Sequence, residues 1–443
     1  MKKQQIALSP RSAIIMLALG ASGIAQAEGF AVPELSVAGL GTANALVANP
    51  YERGAFIYNP AAMAFHEQSS VALGALFINP NFSVRTDSGK HDSTGADWIA
   101  APIGQLAIRI NQHWSAGLGI SAPFGLETKW DRGTFPPLTG IAPLPSPPFP
   151  AGTAIPLSPQ PTRSKLEILN FTPTASYRIN DNLALSAGAD IYWAKSAQLD
   201  SSITELSGDG TGWGFNLSAL FAKNAFSAGV NFHSAATVKV DGNYTALNNT
   251  LVAIYAATDG SSGIPPSQAG ELDVNLPWRL TLGVRYQISP KLAAELDWAR
   301  TGWSEFDEIK VTGNLHGSTL IQDTNDWKDA NAFRLGVTYQ LLDQTQLRFG
   351  YSYDETAQDD AHFSARVPDN DRNLFSIGVS HRLNDGWQVE AGYMYVMFKD
   401  RNYSGTTPYE GGADINGTTA IAGDYEANAN LFGIEISKTF DAF

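Results

Sequence analysis

The side chains best equipped for covalent or metal chemistry are sparse in this sequence. Its 443 residues include seven histidines and no cysteine, so thiolate nucleophiles, thiolate metal sites and disulfides are excluded. No histidine stands at zinc-type spacing from a carboxylate. His233 and His381 fall where a strand would face an interior or approach a turn. No G-x-S-x-G, P-loop or G-x-G-x-x-G in a βαβ setting occurs, and no Ser–His pair can be assembled on one outward face. No catalytic residue, metal ligand or cofactor site is therefore assigned. What remains is noncovalent chemistry. Its most conspicuous carrier is Glu28 to His66, rich in Gly, Ala and Asn, with Pro33, Pro50 and Pro60. Its apolar residues follow no sustained period of 2 or 3.6. A stretch this apolar and irregular needs a surrounding wall to bury it and satisfy its backbone groups.

The rest of the chain reads as that wall. From Ser69 onward, segments alternate with period 2. Leu280, Leu282, Val284, Tyr286 and Ile288 face away from Arg279, Thr281, Gly283, Arg285 and Gln287, and Leu347, Phe349, Tyr351 and Tyr353 face away from Arg348, Gly350, Ser352 and Asp354. Fourteen strands are expected, at roughly 69–86, 98–110, 113–128, 164–179, 182–200, 208–222, 225–240, 271–288, 291–309, 327–341, 345–355, 370–382, 386–400 and 426–443. Joins after even-numbered strands are tight, such as Asn111-Gln112 and Asn180-Asp181. Joins after odd-numbered strands run from about seven residues at 201–207 to about thirty at 129–163 and 241–270. Alternating short and long joins are what an up-and-down membrane barrel needs; a sandwich does not predict them. The fold class is thus all-β: a 14-stranded antiparallel transmembrane β-barrel with an N-terminal hatch in its lumen.

Composition agrees. Residues 1–27 combine Lys2, Lys3 and Arg11 with a short apolar run and Ala25-Gln26-Ala27, which reads as a cleaved signal peptide. Removing it leaves 26 basic and 43 acidic residues, a net charge of 26 − 43 = −17, which argues against nucleic acid as a partner. No later stretch holds 18 consecutive apolar residues, and 10 Trp, 15 Tyr and 22 Phe suit aromatic girdles at two interfaces. The expected divisions are 1–27 signal, 28–67 hatch and 68–443 barrel. The chain closes on Phe443, although Phe440 and Phe443 cannot share one face of an undistorted strand.

Two long joins stand out. Between Gly133 and Thr162 there is no charge, and ten prolines lie between Pro136 and Pro161. That composition suits a polyproline spacer or an uncharged surface that collects apolar ligands. In the other, Leu251, Val252, Ile254 and Tyr255 lie in a short amphipathic helical pattern. They are candidates for a hydrophobic docking groove, and loop–loop packing explains them equally well.

Several stretches, in order, resemble the long-chain fatty acid transporter family of outer membranes, which includes channels for aromatic hydrocarbons. Gly29-Phe30, Glu34 and Gly39-Leu40-Gly41 resemble its hatch opening, and Asn59-Pro60-Ala61 its NPA motif. SAPFGLETKW in the third strand resembles a kinked strand that leaves a lateral gap. VPDNDR, with Pro368, Asp369, Asp371 and Arg372, is the most specific match; LPWRLTLGVRYQ and LDWARTGWSEFDEI are also similar. The 133–162 insert and Pro33 depart from the family pattern. The resemblance implies an outer-membrane, multi-pass, monomeric channel for passive uptake. An apolar ligand lands on the outer loops, a hatch movement opens a path, and the ligand leaves sideways into outer-membrane lipid. The implied ligand contacts are Phe30, Phe124, Leu251, Val252, Ile254 and Tyr255. The implied gate is Asn59, Pro60 and Ala61 beside Pro123 and Gly125, since Pro lacks a ladder donor and Gly tolerates unusual backbone angles. Long-chain fatty acids are the first expected cargo and aromatic hydrocarbons the alternative. A general porin or a surface adhesion barrel is a third reading, against which the apolar plug counts.

Overall fold

The computed structural model describes residues 29–95, 97–135, 139–141, 154–156, 160–260, 263–315, 318–404 and 421–441. The expected signal, most of the proline-rich join and Phe443 lie outside the described residues.

Fourteen strands build the wall. They are β1 (Ser69–Thr86), β2 (Ile99–Arg109), β3 (Trp114–Lys129), β4 (Pro161–Asn180), β5 (Leu183–Ser201), β6 (Thr204–Lys223), β7 (Phe226–His233 and Ala236–Ala246), β8 (Gln268–Leu276 and Arg279–Ser289), β9 (Leu292–Thr301 and Glu308–Gly313), β10 (Thr319–Thr324 and Ala330–Leu342), β11 (Thr345–Asp354), β12 (Arg372–Arg382), β13 (Trp387–Phe398) and β14 (Gly423–Phe440). Neighbours pair antiparallel, and β14 returns to β1 from Ser69↔Phe440 to Arg85↔Asp424, so the sheet closes. Closure removes both edges, as strands in a bilayer require. Some joins are shorter than expected: β5 and β6 are linked by Ser202 and Ile203 alone, not by seven residues, and β9 and β10 by 314–318, not by 310–326. The first part of β6 carries Gly208, Asp209 and Gly210, which weaken a strand signal; the ladder to β5 shifts register there, between Ala194 and Ala197, and continues to Gln198↔Ser207.

The barrel is polar inside and apolar outside. On β11, Arg348 and Ser352 are 0% exposed while Phe349 and Tyr351 are 44% and 38% exposed. The same inversion places Arg285, Glu295, Asp297, Glu390 and Glu435 inside and Leu282, Val284, Phe375 and Ile434 outside. A water-soluble sandwich would reverse it; lipid on the outside and a filled lumen account for it.

The segment before β1 fills the lumen. Helix α1 (Val37–Gly41), capped by Ser36 Oγ accepting from Gly39 N–H, lies against β11–β14, and a 3₁₀ turn (Pro60–Phe65) lies against β2–β6. Gly39 is required here, because a Cβ on it would stand 2.0 Å from the Tyr58 hydroxyl oxygen. That hydroxyl accepts from Leu35 N–H and reaches Pro33 O and Asn44 Oδ1. The irregular backbone is satisfied by wall side chains. Asp297 Oδ2 accepts from Leu46 and Val47 N–H at 3.0 and 3.1 Å, and Glu295 Oε1 from Ala48 N–H at 2.6 Å. Arg348, 1% exposed at its side chain, bridges hatch Glu52 at 2.6 Å and wall Glu390 at 2.7 Å.

Candidate functional site

Pairing between β2 and β3 breaks off part-way along the wall. Their ladder stops at Gly104↔Ile120, although β3 runs on to Lys129. Against β4, β3 bulges between Ser121 and Phe124, where Pro123 offers no donor. Above the interruption, the β1–β2 connection crosses to β3: Thr94 N–H donates to Lys129 O at 2.8 Å and Lys129 N–H to Ser93 Oγ at 2.9 Å. The result is a window, closed above and below.

On the lumenal side, the free edge of β3 is taken by the tip of the hatch. Val32 N–H donates to Pro123 O at 2.9 Å, Gly125 N–H donates to Phe30 O at 3.1 Å, and Ala31 forms a bridge with Phe124. Phe30 then packs at ring-centroid distances of 4.7 Å from Trp303, 5.2 Å from Phe306, 5.8 Å from Trp327 and 6.0 Å from Phe124. Gly29 holds φ at 57°, and a Cβ there would meet Trp327 and Trp303 at 2.6 and 2.9 Å.

Beside this cluster lies a cavity of about 290 Å³ that reaches from the lumen into the window. Phe30, Phe124 and Leu126 line it with Ile99–Pro102 of β2 and Ile78, Leu374, Val396 and Leu431 of neighbouring strands. A second chamber of about 80 Å³ shares Phe30, Leu126, Leu166 and Val367 with the first. Those four side chains stand between the two spaces.

The VPDNDR stretch forms the polar end. Asp369 Oδ2 accepts from Gly29 N–H at 3.1 Å and from Thr356 Oγ1 at 2.8 Å. Arg372 Nε donates to Asp354 Oδ2 at 3.4 Å. Asp371 pairs with Lys399 at 2.7 Å. Burial pushes the Asp369 carboxyl up to about 6, against the opposing pull of Arg372. Burial likewise raises Glu34, again opposed by Arg372 and by the Asn44 amide.

The other candidate residues are placed differently. Asn59-Pro60-Ala61 does not adjoin Pro123 and Gly125, correcting the expected gate; residues 30–32 hold that place. Asn59 Nδ2 donates to Val47 O and Ala219 O, Ala61 N–H to Ser218 Oγ, and Ser176 Oγ to Pro60 O, so the motif fastens the hatch to β4 and β6. Helix α2 (Asn249–Ala257) exists, but Leu251 and Ile254 are buried against Ile203 and Ile264. They pack their own loop and line neither chamber; Val252 and Tyr255 are half-buried beside them. Of the two histidines, His233 Nδ1 lies 2.7 Å from Asp190 inside the barrel and His381 lies 3.0 Å from Thr345 near a turn.

A family described as outer membrane protein transport protein (OMPP1/FadL/TodX) matches residues 18–137 and 153–440. The chain belongs to this family. Its relatives include the long-chain fatty acid transport protein of Salmonella typhi, 26% identical over 408 residues that cover 83% of this chain and 87% of that protein. Another is the 47 kDa outer membrane protein of Pasteurella multocida, 25% identical over 366 residues, covering 79% and 83%. Among solved structures, a Pseudomonas aeruginosa FadL homologue superposes with a TM-score of 0.76 at 20% identity, covering 93% of this chain and all of that one. The Ralstonia pickettii toluene transporter TbuX gives 0.63 at 15% identity, covering 91% and 98%. Like the rest of this family, the chain is an outer-membrane β-barrel.

Within the family fold, sequence reasoning named Phe30 and Phe124 but missed Trp303, Phe306 and Trp327, which enclose Phe30. The available signal was Trp303 and Phe306 in the break between the two halves of β9 and Trp327 in that of β10, where solvent-facing stretches would carry few aromatics.

Proposed function

We propose that this chain is a passive channel that carries hydrophobic small molecules into the outer membrane by a lateral route. The observation that carries the reading is the apolar cavity lined by Ile99–Pro102 of β2 and Phe124–Leu126 of β3 at the window, with Phe30 beside it on the lumenal side. Moving an alkyl chain through water costs about 0.8 kcal/mol per CH₂, so a continuous apolar path into lipid lowers the barrier to crossing. Long-chain fatty acids are the cargo that the relatives' names support first; the structural neighbour named as a toluene transporter supports aromatic hydrocarbons as the alternative. The chain acts as a monomeric conduit with no catalytic step. Hatch movement in this reading is confined to the tip, residues 29–32, because the rest is bonded to the wall.

Gly125 gives the test. It lines the window, and a Cβ there would meet only the Leu166 carbonyl oxygen at 3.5 Å, so a side chain is tolerated. Gly125→Trp fills the window. Uptake of oleate or toluene by reconstituted protein is expected to fall at least about tenfold while ligand still binds. A folded, inserted Gly125→Trp protein that transports at the normal rate removes the lateral route. Growth of a deletion strain on oleate against toluene then distinguishes the cargoes.

A further inference from the structure

The charges around the main cavity are unbalanced. Six charged side chains line it: Glu34, Glu127, Glu167 and Asp369 against Lys195 and Arg372. Both cations are already engaged, Lys195 with Glu167 at 3.5 Å and Arg372 with Asp354 at 3.4 Å. Glu127 holds Arg163 at 2.6 Å and Lys165 at 3.3 Å, so the cations nearest the window are paired as well. Beyond residue 28, the segments outside the described residues contain no Lys or Arg, and no loop can bring in another.

One acceptor is left over. Asp369 lines the cavity and is 3% exposed; its Oδ2 accepts from Gly29 and Thr356, while its Oδ1 is buried with no hydrogen-bond partner among the described residues. A buried acceptor of this kind is stabilised by a donor and penalised by a second acceptor. A carboxylate has nothing to donate, and its charge adds to those of Asp369, Glu34 and Asp354. A hydroxyl or a protonated carboxyl can donate.

We infer that the cavity takes its cargo with an uncharged, O–H-bearing head group, a long-chain alcohol or a protonated fatty acid, which donates to Asp369 Oδ1. The inference rests on the uptake reading above and specifies the state in which a fatty acid occupies that site. The alkyl tail lies toward the window, among Leu126, Ile99 and Ala101, and the head group at the VPDNDR end. The neighbouring small chamber has a different character: Arg366 Nη1 donates there to Arg163 O, Ser164 Oγ and Asp200 O at 3.3, 2.9 and 2.9 Å.

The probes are decanol and decanoate, binding to purified protein in detergent with empty micelles subtracted, between pH 6 and pH 8. If only the protonated acid binds, each pH unit above its own ionisation costs about tenfold in affinity, so decanoate weakens by on the order of a hundredfold. Decanol changes by less than about threefold, since it does not titrate in this range. Asp369, raised by burial to about 6, gains charge over the same interval; as a carboxylate it is the better acceptor, which offsets that loss by no more than about twofold. Asp369→Asn, whose amide can donate to a carboxylate, reduces the decanoate loss to less than about tenfold. Glu34→Gln, tested in parallel, reduces it in the same direction and serves if the first variant fails to fold. Decanoate binding that is flat with pH, or a pH loss untouched by both variants, overturns the assignment. Flat binding abolished by Arg366→Met overturns it too, and moves the head group to the small chamber. Binding of neither probe at any pH removes the cavity as a cargo site, and the uptake reading falls with it.

Discussion

Replacing Phe30 with alanine is expected to release the tip of the hatch without releasing its base. Phe30 is 5% exposed and touches four aromatic rings. Phe→Ala in a packed core costs about 3–5 kcal/mol. The ring also borders an open cavity, so the low end, about 3 kcal/mol, applies to this site. At about 1.4 kcal/mol per factor of ten, the opened tip becomes roughly a hundredfold more populated. Amide hydrogen exchange reads this directly, since it follows local opening. Val32 N–H, bonded to Pro123 O, is expected to exchange about a hundredfold faster. Leu46 and Ala48, whose N–H groups are held by Asp297 and Glu295, are expected to keep their wild-type rates. Equal acceleration at Val32 and Leu46 would mean that the hatch opens as one unit. No acceleration at Val32 would mean that Phe30 does not hold the tip. Either result refutes the division between a latched tip and a fixed base.

Three further outcomes follow from the same contacts. Arg348→Met leaves Glu52 and Glu390 buried without their shared counter-charge; a loss of about 3–5 kcal/mol is expected in the denaturant midpoint, with Leu46 and Ala48 exchange now accelerated. His66, at the junction of hatch and β1, is pushed down to about 4 by burial and then by Arg53. A histidine lowered from 6.5 binds fewer protons folded than unfolded, so its contribution is complete above pH 6.5 and lost as pH falls toward 4. The loss is at most about 3 kcal/mol, and His66→Gln should flatten that part of the stability profile. Finally, Leu251→Ser with Ile254→Ser should make the loop around α2 more susceptible to protease and leave ligand affinity unchanged; weakened binding at low ligand concentration would restore a docking role to that helix.

The wall was legible because membrane strands repeat one rule. Leu347 to Asp354 alternates lipid-facing and lumenal side chains, and the same rule is applied fourteen times with short joins on one side. The outer halves of β7 to β10 were less legible, because breaks at Ser234, Pro277, Gly302 and Asn325 interrupt the four periods just where the sheet continues. The site was legible only in its local parts. Pro123 and Gly125 announce a break in any ladder that contains them, and Phe30 stands out in a run of small residues. What they touch could not be read, because Gly29 meets Asp369 across 340 residues and only barrel closure sets that distance. The pattern of Leu251, Ile254 and Tyr255 states that one helix face is buried. It does not state by what, and Ile203 and Ile264 turned out to cover it. For Asn59-Pro60-Ala61 the error was one of direction: nothing local distinguishes β3 from β6 as the wall beside it.

The tip of the hatch has a double part, since it stoppers the cavity and also completes β3. When it leaves, Pro123 O and Gly125 N–H lose their partners along with the aromatic packing of Phe30. Two net hydrogen bonds are worth about 1 kcal/mol each, and burial of Phe30 adds about 2 kcal/mol or more. The closed state is thus favoured by roughly 4 kcal/mol, about a thousandfold. An apolar ligand tail cannot replace those hydrogen bonds, so cargo must shift the balance by occupying the space that Phe30 vacates. Each CH₂ removed from water supplies about 0.8 kcal/mol, and about five of them match the latch. Under the uptake reading proposed above, short apolar molecules are expected on this arithmetic to bind a largely closed channel, and a long chain to open its own path to the window.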